Sequence, residues 1–410
     1  MKVLLVGSGG VGGAIAAIAA RRPFVELLVV ADVDPARARG VAAGVAEGGM
    51  RCEAVSLDAS SADAIIEVAR TFKVDAIVNA CDPRFNPPIF EAAFRYGATY
   101  LDMAMNLSSP HPDKPYELVG QTLGAGQDAM HEKWVERRQL ALVGMGVEPG
   151  LSDVFARYAN DHLFSRIDEI GVRDGGNLVI EGYDFAPTFS IWTTIEECLN
   201  PPIIYERDRG WFTTAPFSEP EQFMFPEGIG TIECVNVEHE EVLLIPRVID
   251  VGRVTFKYGL GEDFIDILEM IHKIGLDTTK KVRVGDALVS PRDVLAASLP
   301  DPAKLGDRMT GKTCAGTWVR GLDKQGASSE LYLYHVVDNA DTMREYGCQA
   351  VVWQTAINPV IALELLSQGA WSGCGVLGPE AFDSVPFLDL LAKYGSPHAI
   401  EVRGLASLVA

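Results

Sequence analysis

Gly7-Ser8-Gly9-Gly10-Val11-Gly12 carries the spacing G-x-G-x-x-G, and Asp32 stands twenty residues beyond Gly12. Each of these residue types has a task in holding a dinucleotide. Gly7 permits a tight turn, Gly9 lets the main chain approach a pyrophosphate, and Gly12 lets a helix pack closely on a strand. The N–H groups and positive potential of that helix's first turn favour the diphosphate. Ser8, Gly10 and Val11 belong to the same turn. Asp32 is placed to bond both hydroxyls of the adenosine ribose. Its charge repels a 2′-phosphate, which points to NAD; Arg37 and Arg39, close behind, are the residues that would receive the phosphate of NADP.

A second constellation, Glu238-His239-Glu240-Glu241, sets one imidazole among three carboxylates. His is the side chain most readily tuned to neutral pH, and neighbouring carboxylates raise its pKa. The run reads as an acid–base group, His239, with Glu240 and Glu241 suited to attract a cationic amine. The competing reading is a solvated acidic turn. Glu181-Gly182-Tyr183 and the Trp192–Glu197 segment mix polar groups with aromatics, as a pocket sheathing an amine chain would, or as an interdomain core with ordinary caps. His335 alternates with apolar residues and reads as a strand residue. No cluster has metal-ligand spacing, so no metal is expected.

The elements that must position these groups show two alternating periods. Strands are expected over 2–6, 25–31, 52–57, 74–80, 99–103 and 140–145, and helices over 14–21, 35–47, 62–72, 88–96 and 131–138. Near-continuous apolar strands alternating with helices imply a doubly wound parallel sheet of the Rossmann type. Ligands in such sheets lie beyond the carboxyl ends of the strands. That places Asp58, Asn79, Ala80, Cys81 and Asp102 at the cofactor and substrate. Asp58 reaches the adenine or caps the next helix. Asn79-Ala80-Cys81 borders the nicotinamide ribose, with Cys81 read as a small wall rather than a nucleophile. Asp102 orients substrate or caps a loop.

After Gly150 the βα alternation stops. Strand-like stretches at 169–173, 231–237, 242–245 and 254–258, with helices over 151–163, 262–274, 291–298 and 351–366, predict a second α+β domain with a mainly antiparallel sheet. The expected division is a dinucleotide domain over 1–150 and a substrate domain over 151–375. Residues 106–127 read as an exposed loop.

The chain has 410 residues and a formal charge of −21, so nucleic acid and anionic membranes are not expected partners. Seven Cys are scattered without a C-x-x-C pair, which fits a reducing cytoplasm. The apolar start up to Ala20 reads as strand, loop and helix rather than a leader. No uninterrupted apolar run of about 18 residues occurs, so no membrane span is expected. A homodimer or higher oligomer is the expected assembly.

Several motifs in order resemble the saccharopine dehydrogenase-like oxidoreductases, near the lysine 6-dehydrogenase and carboxynorspermidine dehydrogenase branches. They are the glycine loop, the Asn79 strand end, Tyr100-Leu101-Asp102, Gly146-Val147-Glu148-Pro149-Gly150-Leu151-Ser152-Asp153 and Val254-Thr255-Phe256-Lys257-Tyr258-Gly259. Glu148 stands where the family has Asp, and Lys257 where it has Arg. The resemblance implies NAD(P)-dependent hydride transfer at the C–N bond of an amino acid or polyamine-type amine through an imine. It adds Lys257 to the catalytic candidates beside His239, Glu240 and Asp102, and Glu148 to the substrate contacts beside Tyr183 and Glu241. It also implies that the C-terminal segment 376–410 returns to the first domain. Two rival readings stand beside it: a sugar or polyol dehydrogenase of the glucose–fructose oxidoreductase type, and a non-catalytic dinucleotide sensor.

Overall fold

The computed structural model describes residues 1–403. The N-terminal half forms strands β1 (Lys2–Val6), β2 (Leu27–Asp32), β3 (Cys52–Ser56), β4 (Ala76–Asn79), β5 (Thr99–Asp102) and β6 (Leu140–Leu142). A seventh strand, Gly375–Leu377, pairs with β6, and the order is Gly375–Leu377, β6, β5, β4, β1, β2, β3. Every pairing in this sheet is parallel. The order reverses between β1 and β4, so their carboxyl ends open the crevice in which such sheets bind ligands.

Helix α1 (Gly10–Ala19) begins four residues before the expected start, directly on the glycine loop. Asp34 caps the helix Pro35–Glu47 through its carboxylate, and Ser61 caps Ala62–Phe72. Both caps place a side-chain oxygen on N–H groups that have no partner inside the helix.

The second domain is built on a nine-stranded mixed sheet. Its centre is β7 (Phe164–Gly176), flanked by strand Val251–Gly259 in parallel and Lys312–Asp323 antiparallel. Lys312–Asp323 and Ser328–Asp338 form a long hairpin. The remaining pairings are antiparallel.

Several expectations are corrected. Val242–Ile245 is not a strand: Glu241–Leu244 is a helical turn continued by Ile245–Arg247. Four apolar residues buried all round have no period to distinguish helix from strand. The segment 376–410 returns only in part. Leu377 completes the first sheet, whereas Ala399–Val402 pairs with Ser328–Asp338 in the second; residues 404–410 lie outside the described residues. Residues 106–127 are not simply exposed, since Ser109 bridges Gln121 and the adjoining Gln127 is fully buried.

Helix Ala350–Gln368 is apolar and long enough to cross a bilayer, yet 72% of its most apolar window is buried within the fold. It packs on α1 and joins both domains in one apolar core running from Leu5 and Ile15 to Ile170, Phe256 and Ile357. The two halves therefore share one core.

Candidate active site

The glycine loop has the geometry a diphosphate needs. A Cβ on Gly12 would lie 2.1 Å from the Gly7 carbonyl oxygen, so only glycine allows α1 to start so close to β1. Gly7 itself has φ +97°, in the left-handed region. A Cβ on Gly9 would meet nothing within 4 Å, which leaves open space beside the first turn of α1. Gly10 faces Ala303 and Val352 of the second domain. Asp32 ends β2 with its carboxylate held by the Ser8 N–H at 2.8 Å, the Ser8 hydroxyl at 2.9 Å and the Asp34 N–H at 2.9 Å. Burial alone would raise its pKa; these donors and the Arg37 charge 4.0 Å away outweigh it and keep the carboxylate ionised. These residues fit a dinucleotide.

Asp58 is exposed and accepts from the Ser60 N–H and hydroxyl, which is a turn cap. Asn79 is buried, bonded to Asn86 and Tyr100, and its carbonyl oxygen accepts from the Cys81 N–H at 3.0 Å. It fixes the strand end that turns under Gly7. The Ala80 backbone packs against Gly7. Burial and the charges of Asp32 and Asp82 push the Cys81 thiol up to about 12, so it forms a wall and is no nucleophile at neutral pH.

Beyond the carboxyl ends of β4 and β5 the two domains enclose a cleft. Pro83 and Met105 line it from the first domain, and Trp192, Glu196, Glu197 and Glu240 from the second. On the Trp192 ring the exposed Arg84 guanidinium lies 4.1 Å from the centroid, and that of the buried Arg292 4.9 Å. Arg84 also pairs with Asp82, and Arg292 with Glu196.

At the inner end lies the run Glu238–Glu241, and it is no solvated turn. His239 is 1% exposed and stacks on Phe256 with centroids 3.7 Å apart and planes 7° apart. Its Nδ1 lies 2.6 Å from a Glu241 carboxylate oxygen; the other Glu241 oxygen accepts from the Ser152 hydroxyl at 2.8 Å. The sequence suggested that His239 sits between Glu238 and Glu240. The helical turn at Glu241 instead folds Glu241 back onto the ring. Glu238 accepts from Ser108 and Asn200, and Glu240 from the Met105 N–H at 2.9 Å. Burial opposes charge on the imidazole, but Glu241, Glu240 and Glu197 outweigh it and push its pKa up to about 10. His239 is thus a fixed cation at neutral pH, not a group that titrates there. Ligand atoms of His239, Glu240 and Glu241 converge within 4.8 Å, but the short Nδ1–carboxylate contact is that of an ion pair. Its Nε2 has no partner.

Other carboxyl groups gather around this pair. Glu148 follows β6, Asp174 ends β7, and Glu197 projects from helix Ile191–Leu199. All three are half-buried at the cleft. Burial pushes Glu197 up to about 8 and Glu238 up to about 7. Tyr258, set edge-on to His239 with centroids 5.8 Å apart, completes the wall.

Three expected site residues are not here. Lys257 lies on the opposite face of the sheet. Side chains alternate along Val251–Gly259, so Phe256 and Tyr258 face His239 while Lys257 donates to Glu221 at 2.8 Å and to the Glu219 carbonyl oxygen at 2.7 Å. Asp102 is 1% exposed and saturated, accepting from the Gly144 N–H at 2.7 Å and the Gln127 amide at 2.6 Å. It fastens the end of β5 instead of meeting a substrate, and burial raises its pKa to about 7. Tyr183 is 40% exposed beside Arg308, outside the cluster. Sequence reasoning missed Ser108, Ser152, Asp174 and Asn200. Of these Ser152 lay within the motif at 146–153, where it was given no role, and Asp174 left a polar Arg173-Asp174 pair closing an apolar strand.

Comparison with known proteins places these features in context. Residues 3–141 match the saccharopine dehydrogenase NADP binding domain family, and residues 146–396 the saccharopine dehydrogenase C-terminal domain family. The chain is 28% identical over 405 residues to a carboxynorspermidine synthase of Vibrio alginolyticus, covering 96% of this chain and 95% of the relative. It is 29% identical over 407 residues to a carboxyaminopropylagmatine dehydrogenase of Synechocystis, covering 98% of each. The fold is similar to that of a saccharopine dehydrogenase (L-Glu forming) from Saccharomyces cerevisiae, with TM-score 0.71 at 15% identity over 98% of this chain and all of the other.

Proposed function

Because the chain belongs to the saccharopine dehydrogenase family, NAD(P)-dependent oxidoreductases acting at carbon–nitrogen bonds, we propose that its substrate is a carboxylated polyamine-type secondary amine. The observation that carries this reading is the ring of carboxyl groups, Glu148, Asp174, Glu197, Glu240 and Glu241, around the single cation His239. Such a wall favours a chain carrying ammonium groups, and Trp192 and Tyr258 offer apolar surface for its methylenes. A substrate with several carboxylates would need more cations. Arg173 and Lys257 are turned to the far face on Glu221, leaving the exposed Arg84 beside Trp192, which suits one carboxylate.

Bound dinucleotide supplies the hydride acceptor or donor. The protein's part is to hold the carbon–nitrogen bond beside it and to manage a proton. Both similar relatives carry names of carboxylated polyamine-type compounds, which supports the same class. For the cofactor, the ionised Asp32 favours NAD, and Arg37 is the group through which NADP would be accepted. We place the enzyme in the cytoplasm as a homo-oligomer.

The test is a survey of NADH and NADPH consumption with an amino-acid aldehyde combined with diamines of increasing length, beside lysine, saccharopine and polyols. Turnover confined to the diamine reactions supports the proposal. Faster turnover of saccharopine or of a polyol overturns it.

A further inference from the structure

A second cavity adjoins the cleft. It lies between loop residues 109–123 and the second-domain residues Pro201, Ile203, Thr213 and Leu243. The loop is pinned at its neck, where Ser109 and Gln121 exchange two main-chain hydrogen bonds of 2.9 Å each. The Thr213 hydroxyl donates to the Leu118 carbonyl oxygen at 3.1 Å and ties the loop to the second domain. Leu123 and Glu238 line both this cavity and the cleft, so they form the partition between the two. Among the described residues around the second cavity, Glu238 alone is charged. Its Oε2 is fixed, accepting from the Ser108 hydroxyl at 2.8 Å and the Asn200 amide at 3.0 Å. Its Oε1 accepts from none of the described residues and is not sealed, although Glu238 as a whole is only 8% exposed. That free oxygen therefore opens inward, onto the cavities that Glu238 lines.

We propose that the second cavity is a subsite for the far end of the amine, and that Glu238 holds a terminal ammonium there through Oε1 and so selects diamines over monoamines. The inference rests on the reading of the cleft as the amine site. The reacting carbon–nitrogen bond stays in the cleft beside Pro83 and Met105, beyond the carboxyl ends of β4 and β5. The carbon chain runs past Leu123, and the terminal nitrogen ends against Glu238. Glu238 thus acts on specificity: it meets the far nitrogen and not the reacting one.

The chemistry of the walls excludes the other kinds of chain end. A carboxylate would meet Glu238 with no cation beside it in the second cavity. An apolar end would cover Oε1 without bonding it and leave a buried acceptor unsatisfied. An ammonium supplies both the donor and the opposite charge, and Ile203, Leu243 and Leu123 offer apolar surface to the methylenes that carry it. In the free protein burial raises Glu238 to about 7, against its bonds from Ser108 and Asn200, and Glu196 and Glu240 push in the same direction as burial. A cation at Oε1 offsets these effects and draws the carboxyl into its ionised form. The bonds from Ser108 and Asn200 keep Oε2 in place, so the carboxylate is held ready to receive the ligand.

The test uses the dinucleotide-bound enzyme and two secondary amines. Each is made by joining one amino-acid aldehyde to an amine and reducing the imine chemically. One carries a diamine; the other carries a monoamine in which a methyl group replaces the far ammonium. Calorimetry of the two needs no turnover, and the wild-type comparison needs no variant. The diamine adduct should bind about 10–100-fold more tightly, the range of a charged hydrogen bond. Glu238→Gln should remove that advantage, and Glu238→Asp, which keeps the charge, should retain part of it. Equal affinity of the two adducts for wild type, or an advantage that survives Glu238→Gln, overturns the subsite and leaves the amine reading intact. Failure of both adducts to bind overturns the amine reading itself, and the subsite with it.

Discussion

Replacing Glu241 with Gln changes one atom pair at the centre of the site. Glu241 is fully buried, and its two oxygens bind His239 at 2.6 Å and Ser152 at 2.8 Å. The amide can keep the Ser152 bond but cannot neutralise the imidazolium. The rise of the imidazole from 6.5 to about 10 corresponds to about 5 kcal/mol of net preference for the charged ring, left after burial opposes the charge and Glu241, Glu240 and Glu197 favour it. Breaking one partner of a buried pair typically costs about 3–5 kcal/mol. With Glu240 still 3.5 Å from the ring, a loss of about 2–4 kcal/mol near neutral pH is expected. The folded pKa is raised, so the stabilisation is complete below about 6.5 and disappears as pH rises through about 10. Urea unfolding of wild type and Glu241→Gln should therefore show a gap that is widest just below about pH 6.5, persists through neutral pH and closes as pH rises through about 10. Nitrogen NMR of labelled His should follow the His239 ring titrating in the alkaline range in wild type and falling by units in the variant. A wild-type ring that titrates near 6.5, or one unmoved by the substitution, would refute the fixed-cation role.

Gly9→Val should fold with unchanged thermal stability, since its Cβ enters open space, yet lose dinucleotide affinity by about 10²-fold or more as charged hydrogen bonds to the diphosphate are blocked. Gly12→Ala should instead lower stability, because its Cβ meets the Gly7 carbonyl oxygen at 2.1 Å; calorimetry with and without NAD separates the two. Asp32→Ser should shift the ratio of kcat/KM toward NADP by about 1–3 kcal/mol, and a wild type already favouring NADP would assign the 2′-phosphate to Arg37. Lys257→Met should leave kcat and amine KM unchanged while lowering stability by about 1–3 kcal/mol, through loss of its contact with Glu221. A tenfold fall in kcat would place Lys257 back in the site.

The first domain was readable because its determinants are local. The glycine loop, the Asp32 strand end and the Asp34 cap each depend on a few consecutive residues, and the structure places each in the expected element. The second half of the site depends on register between distant strands. Asp174 meets Tyr258 only because β7 runs parallel to Val251–Gly259, and nothing near either residue announces that pairing. The position of Lys257 was within reach of the sequence, since period-two alternation puts it opposite its aromatic neighbours Phe256 and Tyr258. The partner of His239 was not, because it turns on whether Glu241–Leu244 is helix or strand, and four apolar residues carry no period.

The central claim is hydride transfer to a carbon that bears nitrogen, and isotope tracing addresses it directly. The enzyme should be given dinucleotide carrying deuterium at its transferable position, together with an amino-acid aldehyde and a diamine, and the product fragmented by mass spectrometry. The account predicts a secondary amine with one deuterium on the former aldehyde carbon, now bonded to nitrogen. Deuterium recovered in an alcohol, with the diamine unconsumed, would contradict it.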